Sequence, residues 1–308
     1  MRRLVLCGMV VSAPLLAGCG AEKVQGPSFE SRDALLAHAA AHSAPVYTYT
    51  RIAYPAATAT TAWGINAGGD VVGDYVDPAG VRHGFLVRNG EFTTIDFPNA
   101  STSARGIGPG GNIVGIYRGA SEPAVNAHGF LLSRQGDTTL IAFPGHTNTI
   151  PQRILPDGTI LGCRHDNDTM GSMRGVAFDR SGPREIAAFA SMNNGATPDR
   201  RRIVGLWTNG TRGEGYTIDD GVFTSFIVPG SDFTAAWDVN PAHEIAGVQH
   251  NATGFHGFVQ TVDGDYVSID FPGATATRAF GINARGDVVG AYVLAGQTNG
   301  FLARRGRF

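Results

Sequence analysis

Apolar and polar residues alternate along most of the chain in short runs that stop at turn-forming residues. Asp70-Val71-Val72-Gly73-Asp74-Tyr75 lies between Asn66-Ala67-Gly68-Gly69 and Asp77-Pro78-Ala79-Gly80. His83-Gly84-Phe85-Leu86 follows, then Asn89-Gly90, then Phe92-Thr93-Thr94-Ile95-Asp96-Phe97-Pro98. β-branched and aromatic residues in runs this short, bounded by glycine, asparagine and proline, read as strands joined by tight turns. Proline closes the last run because it cannot donate to a strand ladder.

The same phrases return. Asp70–Tyr75 recurs as Asn112-Ile113-Val114-Gly115-Ile116-Tyr117, Thr159-Ile160-Leu161-Gly162, Arg202-Ile203-Val204-Gly205-Leu206-Trp207, Glu244-Ile245-Ala246-Gly247 and Asp287-Val288-Val289-Gly290-Ala291-Tyr292. The shared glycines stand at 73, 115, 162, 205, 247 and 290, spaced 42, 47, 43, 42 and 43 residues apart. His83–Leu86 and Phe92–Pro98 recur at the same period. Weaker copies of the latter end at Pro55, Pro144, Ala190 and Pro229. Each unit reads as four strands, the first near 104–108 and its equivalents, followed by one longer connection such as 99–103. That is the pattern of a propeller blade. The last unit stops at Arg307-Phe308, where its fourth strand would begin, whereas Tyr49–Pro55 is a fourth strand with no unit before it. Pairing the two would remove an open edge. The expected fold is therefore all-β: a six-bladed β-propeller of four-stranded antiparallel blades over 47–308, closed by residues 49–55 completing the last blade.

Composition agrees. Glycine contributes 43 of 308 residues, about twice the usual ~7%, and charged residues 16% against ~25%. An apolar fraction of 43% supplies a core and excludes disorder for the chain as a whole. The only lysine, Lys23, argues against a helical bundle.

The first residues follow a different rule. Met1-Arg2-Arg3 precedes an apolar stretch from Leu4 to Leu16, and Leu16-Ala17-Gly18-Cys19 ends it. A basic start, a short apolar run and small residues before a cut form a secretory signal peptide, here 1–18. The run is shorter than the ~18–20 residues that span a bilayer. Leu-Ala-Gly-Cys resembles the bacterial lipobox, which implies lipid on Cys19 and a membrane as partner. Gly20 in place of an aspartate implies the outer membrane in a Gram-negative cell. Residues 19–46 read as a tether with a short helix over 31–42. With Cys7 removed and Cys19 lipidated, Cys163 stands alone and no internal disulfide can form. The mature chain holds 22 basic against 26 acidic residues, which excludes a nucleic-acid partner.

The units resemble the HAF family of bacterial extracellular repeats, through Gly281-Ile282-Asn283, Gly286-Asp287-Val288-Val289-Gly290-Ala291-Tyr292, His83-Gly84-Phe85-Leu86 and Ile269-Asp270-Phe271-Pro272. The resemblance covers nearly all of 47–308 and implies an exported or surface protein. It implies no reaction.

Candidate chemistry is sparse. No nucleophile elbow, zinc-binding or phosphate-loop motif is present. His83, His128 and His256 recur on third strands, roughly 10 Å or more from a ring axis at ~4.8 Å per strand. That is too far apart to share an ion, since metal-bound nitrogens lie ~2.0–2.1 Å from it. They read as hydrogen-bonding pieces of each blade, and neither a metal nor a cofactor is expected. The repeated glycine reads as a close approach to an adjacent blade. Cys163 fills an apolar slot shared with Ile116, Leu206, Val248 and Ala291, and reads as a small buried hydrophobe.

Where the repeat breaks its own rule, a site is the better expectation. Nine residues before the shared glycine stand Gly64, Gly106, Arg153, Ala196, Asp238 and Gly281. The slot before holds Trp63, Arg105, Gln152, Gly195, Trp237 and Phe280. Arg153, Asp238, Arg105, Trp63 and Trp237 would line a central mouth, and Arg164 stands where other units carry an aromatic. These six residues form the expected pocket for a glycan or an anionic peptide of the envelope. The favoured function is a monomeric, lipid-anchored binding or scaffold module. The alternative is an envelope polysaccharide hydrolase or lyase acting at the channel mouth, for which Asp238 and Glu244 are the only carboxylate candidates.

Overall fold

The computed structural model describes residues 45–306 apart from 124, 167–169, 188 and 209. The expected signal peptide, Cys19 and the helix expected over 31–42 fall outside the described residues. β1 (Tyr47–Ile52) precedes the first unit, β2 (Ala59–Ile65), β3 (Val71–Val76), β4 (Arg82–Arg88) and β5 (Glu91–Ile95). Unit two is β6 (Ala100–Ile107), β7 (Ile113–Gly119), β8 (His128–Leu132) and β9 (Thr138–Ile141). Unit three is β10 (Asn148–Ile154), β11 (Ile160–His165), β12 (Arg174–Asp179) and β13 (Gly182–Glu185). Unit four is β14 (Ser191–Ala196), β15 (Arg202–Thr208), β16 (Gly213–Asp219) and β17 (Val222–Phe226). Unit five is β18 (Phe233–Val239), β19 (Ile245–Asn251), β20 (Gly254–Gln260) and β21 (Tyr266–Ile269). The last is β22 (Ala276–Ile282), β23 (Val288–Leu294) and β24 (Gln297–Arg305).

Units two to five each form a four-stranded antiparallel sheet with strands in chain order. The remaining strands form one eight-stranded sheet, β22-β23-β24-β2-β3-β4-β5, with β1 also on β24. Within it β24 and β2 meet at a single parallel bridge, Ala59 to Thr298, whereas β1 runs antiparallel along β24 from Tyr47–Arg305 to Ile52–Gly300. Sheet boundaries thus differ from six equal sheets, because one bridge joins units one and six. The strand expected over 49–55 is β1, which starts two residues earlier and stops short of Pro55.

The shared glycine has a different reason from the expected one. It packs inside its own unit, between the first strand and the third-strand aromatic. A Cβ at Gly115 would collide with the Ser103 carbonyl oxygen and lie 2.7 Å from the Phe130 ring. Gly73, Gly205, Gly247 and Gly290 meet the same two obstacles, with Phe85, Tyr216, Phe258 and Phe301 as the rings. At Gly162 only the first-strand obstacle remains, the Ile150 carbonyl oxygen, so glycine is fixed in every unit by that carbonyl and in five of them also by the crossing aromatic.

Contacts between units use other residues. The apolar clusters draw on consecutive units: Ile95 and Leu86 of unit one pack with Ile107 and Phe130 of unit two. The aromatic ending one fourth strand lies flat on the second-strand aromatic of the next unit: Phe97 on Tyr117 at 4.3 Å, Phe271 on Tyr292 at 3.6 Å, and Tyr54 after β1 on Tyr75 at 3.6 Å. A first-strand threonine holds the crossover into five of the units, all but unit four. Thr102 Oγ1 accepts the Phe97 amide at 3.1 Å, and Thr60, Thr149, Thr234 and Thr277 repeat the contact.

Gly115→Ala should lower unfolding stability by about 1–3 kcal/mol through overpacking. Gly110→Ala, whose Cβ would meet nothing within 4 Å, should leave the urea midpoint nearly unchanged. Urea titrations of both variants check the pair.

Candidate functional site

Every first strand carries a β-bulge at the same slot. The bulged residues are Trp63, Arg105, Gln152, Asn194, Trp237 and Phe280. The residues after them are Gly64, Gly106, Arg153, Gly195, Asp238 and Gly281. This corrects unit four by one position: its turn from Ala196 to Ile203 is one residue longer than the turn from Ile65 to Val71, so counting back nine from Gly205 stops one residue short. Four glycines, one arginine and one aspartate therefore occupy the inner slot. The glycines are required by crowding. A Cβ at Gly64 would lie 2.9 Å from the Arg105 carbonyl oxygen, and one at Gly281 3.1 Å from that of Trp63.

The two departures meet each other. Arg153 Nε lies 3.1 Å from Asp238 Oδ2, with both side chains buried. The Arg153 Nη atoms donate to the carbonyl oxygens of Arg105 at 3.0 Å, Gln152 at 2.8 Å, Trp63 at 3.2 Å and Phe280. All four carbonyls belong to bulged residues of different units. Asp238 also accepts the Ile282 amide at 3.1 Å and its own neighbour Val239 at 3.0 Å. Burial pushes the Asp238 carboxyl above its ordinary range, opposed by Arg153 and these two amides. Arg153 and Asp238 thus hold the inner strands together instead of offering free groups to a pocket.

The bulged side chains divide into two kinds. Trp63 stacks on Phe280 at 4.2 Å and meets Trp237 at 5.6 Å, and Trp237 packs edge-on against Phe280 at 5.0 Å. The Arg105 guanidinium sits over the Trp63 ring, 3.9 Å from its centroid. Both faces of Trp63 are therefore covered. Burial pushes Arg105 down to about 10, with Asp74 opposing, so it stays charged at neutral pH. Its Nε is buried without a hydrogen-bond partner, as is Oδ1 of Asn194. Asp74, buried on β3, accepts Trp63 Nε1 at 2.6 Å and Ser103 Oγ at 2.6 Å, and pairs with Arg82. Pattern reading missed Asp74, although it occupies the slot of Cys163, Ile116 and Ala291 and is the only acid there.

Arg164 does not join this group. Its Nε donates to Glu185 Oε1 at 2.8 Å on β13 and its Nη1 to the Ser172 carbonyl at 3.0 Å. It takes the slot where Tyr117 receives Phe97, and turns to the carboxylate of its own unit. Glu244 accepts Arg305 Nη1 at 2.6 Å and Asn240 Nδ2 at 2.8 Å. Cys163 is fully buried, and burial pushes its thiol up to about 12, which keeps it from acting as a nucleophile. His83 Nδ1 sits 2.9 Å from Asp96, His256 Nδ1 3.0 Å from Asp270 and His128 Nε2 2.6 Å from Glu122, each within its unit. Among the described residues no three His, Cys, Asp or Glu side chains are placed to hold a metal ion.

No family model matches the chain, and no curated protein matches it by sequence. Solved structures match it by shape. TolB from Acinetobacter baumannii superposes with a TM-score of 0.53 at 14% identity, over 76% of this chain and 63% of TolB, under two thirds of that protein's length. A gluconolactonase from Xanthomonas campestris gives 0.53 at 14% identity over 86% and 98% of the two chains. Virginiamycin B lyase from Staphylococcus aureus, solved as an inactive form with quinupristin, gives 0.51 at 14% identity over 83% and 99%. The chain has a β-propeller fold. Its four-stranded antiparallel units are the blades, and at this identity the likeness extends to the fold alone.

Removing Arg153 leaves Asp238 buried and four carbonyls unpaired. Arg153→Ala should cost about 3–5 kcal/mol, and adding Asp238→Gly should recover part of it, as read by urea unfolding of the three chains. A second outcome concerns pH. Burial lowers the His83 pKa, but Asp96 and Asp77 outweigh it and hold the group above 6.5. The stability this adds is fully present below the unfolded value and fades as pH rises through the folded one. The gap between wild type and His83→Gln should be widest near pH ~5 and narrow as pH rises above 6.5 through the raised folded value.

Proposed function

We propose that the protein is an exported, lipid-anchored propeller of six blades that serves as a binding or scaffold module for a glycan or anionic peptide of the cell envelope. The six-blade count is supported by β22-β23-β24-β1, which repeats the four-stranded antiparallel order of the other units and touches β2 through one bridge only. Closure is supported by Gly281, whose inner position lies against Trp63 and Gly64 of the first unit. The repeated phrases of the HAF family and the lipobox at Cys19 support export and anchoring, toward the outer membrane given Gly20.

The observation that carries the binding reading is the inequality of the bulged ring. Three aromatics and an arginine with an unpartnered buried Nε gather on one side, and Gln152 and Asn194 stand on the other. Packing alone would be met by six similar residues. Arg105 supplies a cation for an anionic ligand, held over the Trp63 ring that Trp237 also meets. Arg153 and Asp238 support this site from below, and Arg164 has no part in it. The hydrolase or lyase alternative loses its two named carboxylates, because Asp238 is held by Arg153 and Glu244 by Arg305.

Cys19→Ser should move the protein from the membrane fraction to the soluble exported fraction, and Arg105→Gln with Trp237→Phe should abolish binding on an array of envelope glycans and acidic peptides. Retention of the Cys19→Ser chain in the membrane would overturn the anchor. An unchanged array profile would overturn the mouth as the site.

A further inference from the structure

The six repeats act as controls for one another at their seams. In most seams a branched residue of the third strand faces an isoleucine on the next first strand. Leu86 packs with Ile107, Leu131 with Ile154, Val259 with Ile282 and Leu302 with Ile65. The seam between units three and four instead places Ala177 beside Ala196. The correspondence of Ala196 with Ile65 follows from strand register, since both come one residue after the inner slot.

Both alanines are buried, yet the neighbours do not collapse onto them. A cleft of about 360 Å³ opens there, with Ala177 and Ala196 at its floor. That is within the range of small-ligand pockets, at its lower end. Phe189 and Phe223 form an aromatic wall, 4.7 Å apart at 65°, and Phe223 is 36% exposed. Arg184, Arg200 and Arg201 also line the cleft. Their carboxylate partners Asp179, Asp157 and Asp220 are not among its lining residues. The Arg201–Asp220 pair is more than half exposed on both sides. Exposed pairs of this kind contribute little and exchange readily for another anion. Clefts also open at other seams, such as one of about 430 Å³ lined by Ile65, Leu302 and Arg304, but there the leucine and isoleucine remain in place.

We propose that the seam between units three and four binds a small anionic amphiphile: a compact apolar ring or chain seated over Ala177 and Ala196, with one carboxylate or sulfonate held by the arginines. The apolar body rests on the two alanines, where most other seams carry larger branched side chains. The head group meets three guanidiniums, a fork geometry suited to carboxylates. This site is separate from the bulged ring, so either can fail without the other.

The test uses 2-naphthoate as probe on the full chain, with 2-naphthylmethylammonium as a ligand of equal size and opposite charge. Wild type should bind naphthoate saturably below about 1 mM, at least tenfold tighter than the ammonium probe. Ala177→Leu with Ala196→Ile should weaken naphthoate binding at least tenfold while Tm stays or rises. Arg200→Gln with Arg201→Gln should erase the preference for the anion. Ala196→Val, the side chain found at Val239 in the following seam, carries the same test should the double filling variant misfold. Absence of saturable binding, equal binding by the filled chain, or equal affinity for the two probes would each overturn the proposal.

Discussion

Arg153 stands at the one place where the repeat cannot satisfy itself. Each first strand bulges at the same slot, and in four units the carbonyl freed by that bulge comes to the Arg153 guanidinium. Carbonyl oxygens brought together in a buried centre repel one another and lack donors. A guanidinium is suited to this position, because its planar set of N–H groups can serve several acceptors at once. Asp238, contributed by another unit, balances the charge. The pair also explains why the remaining inner slots are glycine: with the centre filled by one long side chain and a carboxylate, the other strands must approach by their backbones. Arg153 and Asp238 are thus one solution to two constraints, volume and unpaired carbonyls.

The outer parts of each unit obey simpler rules and tolerate more variation. The shared glycine and its crossing aromatic fix the three inner strands of a unit against one another. The flat stack of a fourth-strand aromatic on the next unit then fixes neighbours side by side. Where one device fails, a polar contact replaces it. In unit three, Val176 stands where other units carry the crossing aromatic, and Arg164 stands where the stack would form. The Arg164–Glu185 contact ties β11 to β13 there. In unit four, Phe189, Trp207, Tyr216 and Phe223 replace the flat stack with an edge-to-face cluster. Aromatic pairs of either geometry stabilise comparably, so the seam survives a change of design.

Strand phrases and turns were legible in the sequence because alternation and turn chemistry are local properties. Gly73 and its equivalents were recognisable as sites of close approach, but their partner was not. The obstacles are the Thr61 carbonyl oxygen on one neighbouring strand and the ring of Phe85 on the other, which no spacing along one strand reveals. The inner slot of unit four was misplaced because the turn Thr197–Arg202 holds one residue more than its counterparts, and a fixed count cannot detect an inserted turn residue. Arg153 and Asp238 were legible as departures from glycine. Their partnership was not, since 85 residues separate them and only the convergence of first strands brings them together. Asp74 was overlooked in a slot read as apolar, and Thr60, Thr102 and Thr149 went unread despite their regular spacing, because a single hydroxyl has no pattern until its acceptor role is seen.

Departures from the repeat are therefore of two kinds, and the difference bears on where ligands act. Arg153, Asp238 and Arg164 replace consensus residues with charged ones that find partners inside the fold, so their chemistry is consumed by structure. Arg105 and the pair Ala177 and Ala196 differ. The first leaves a buried Nε without a hydrogen bond, as Arg153 also does although its Nε faces Asp238 at 3.1 Å, and the second leaves a cleft open at its seam. Buried donors without acceptors and unfilled apolar space each cost stability. The two proposed binding sites rest on these features: an unmet donor stacked on an aromatic ring, and an apolar floor beside three arginines.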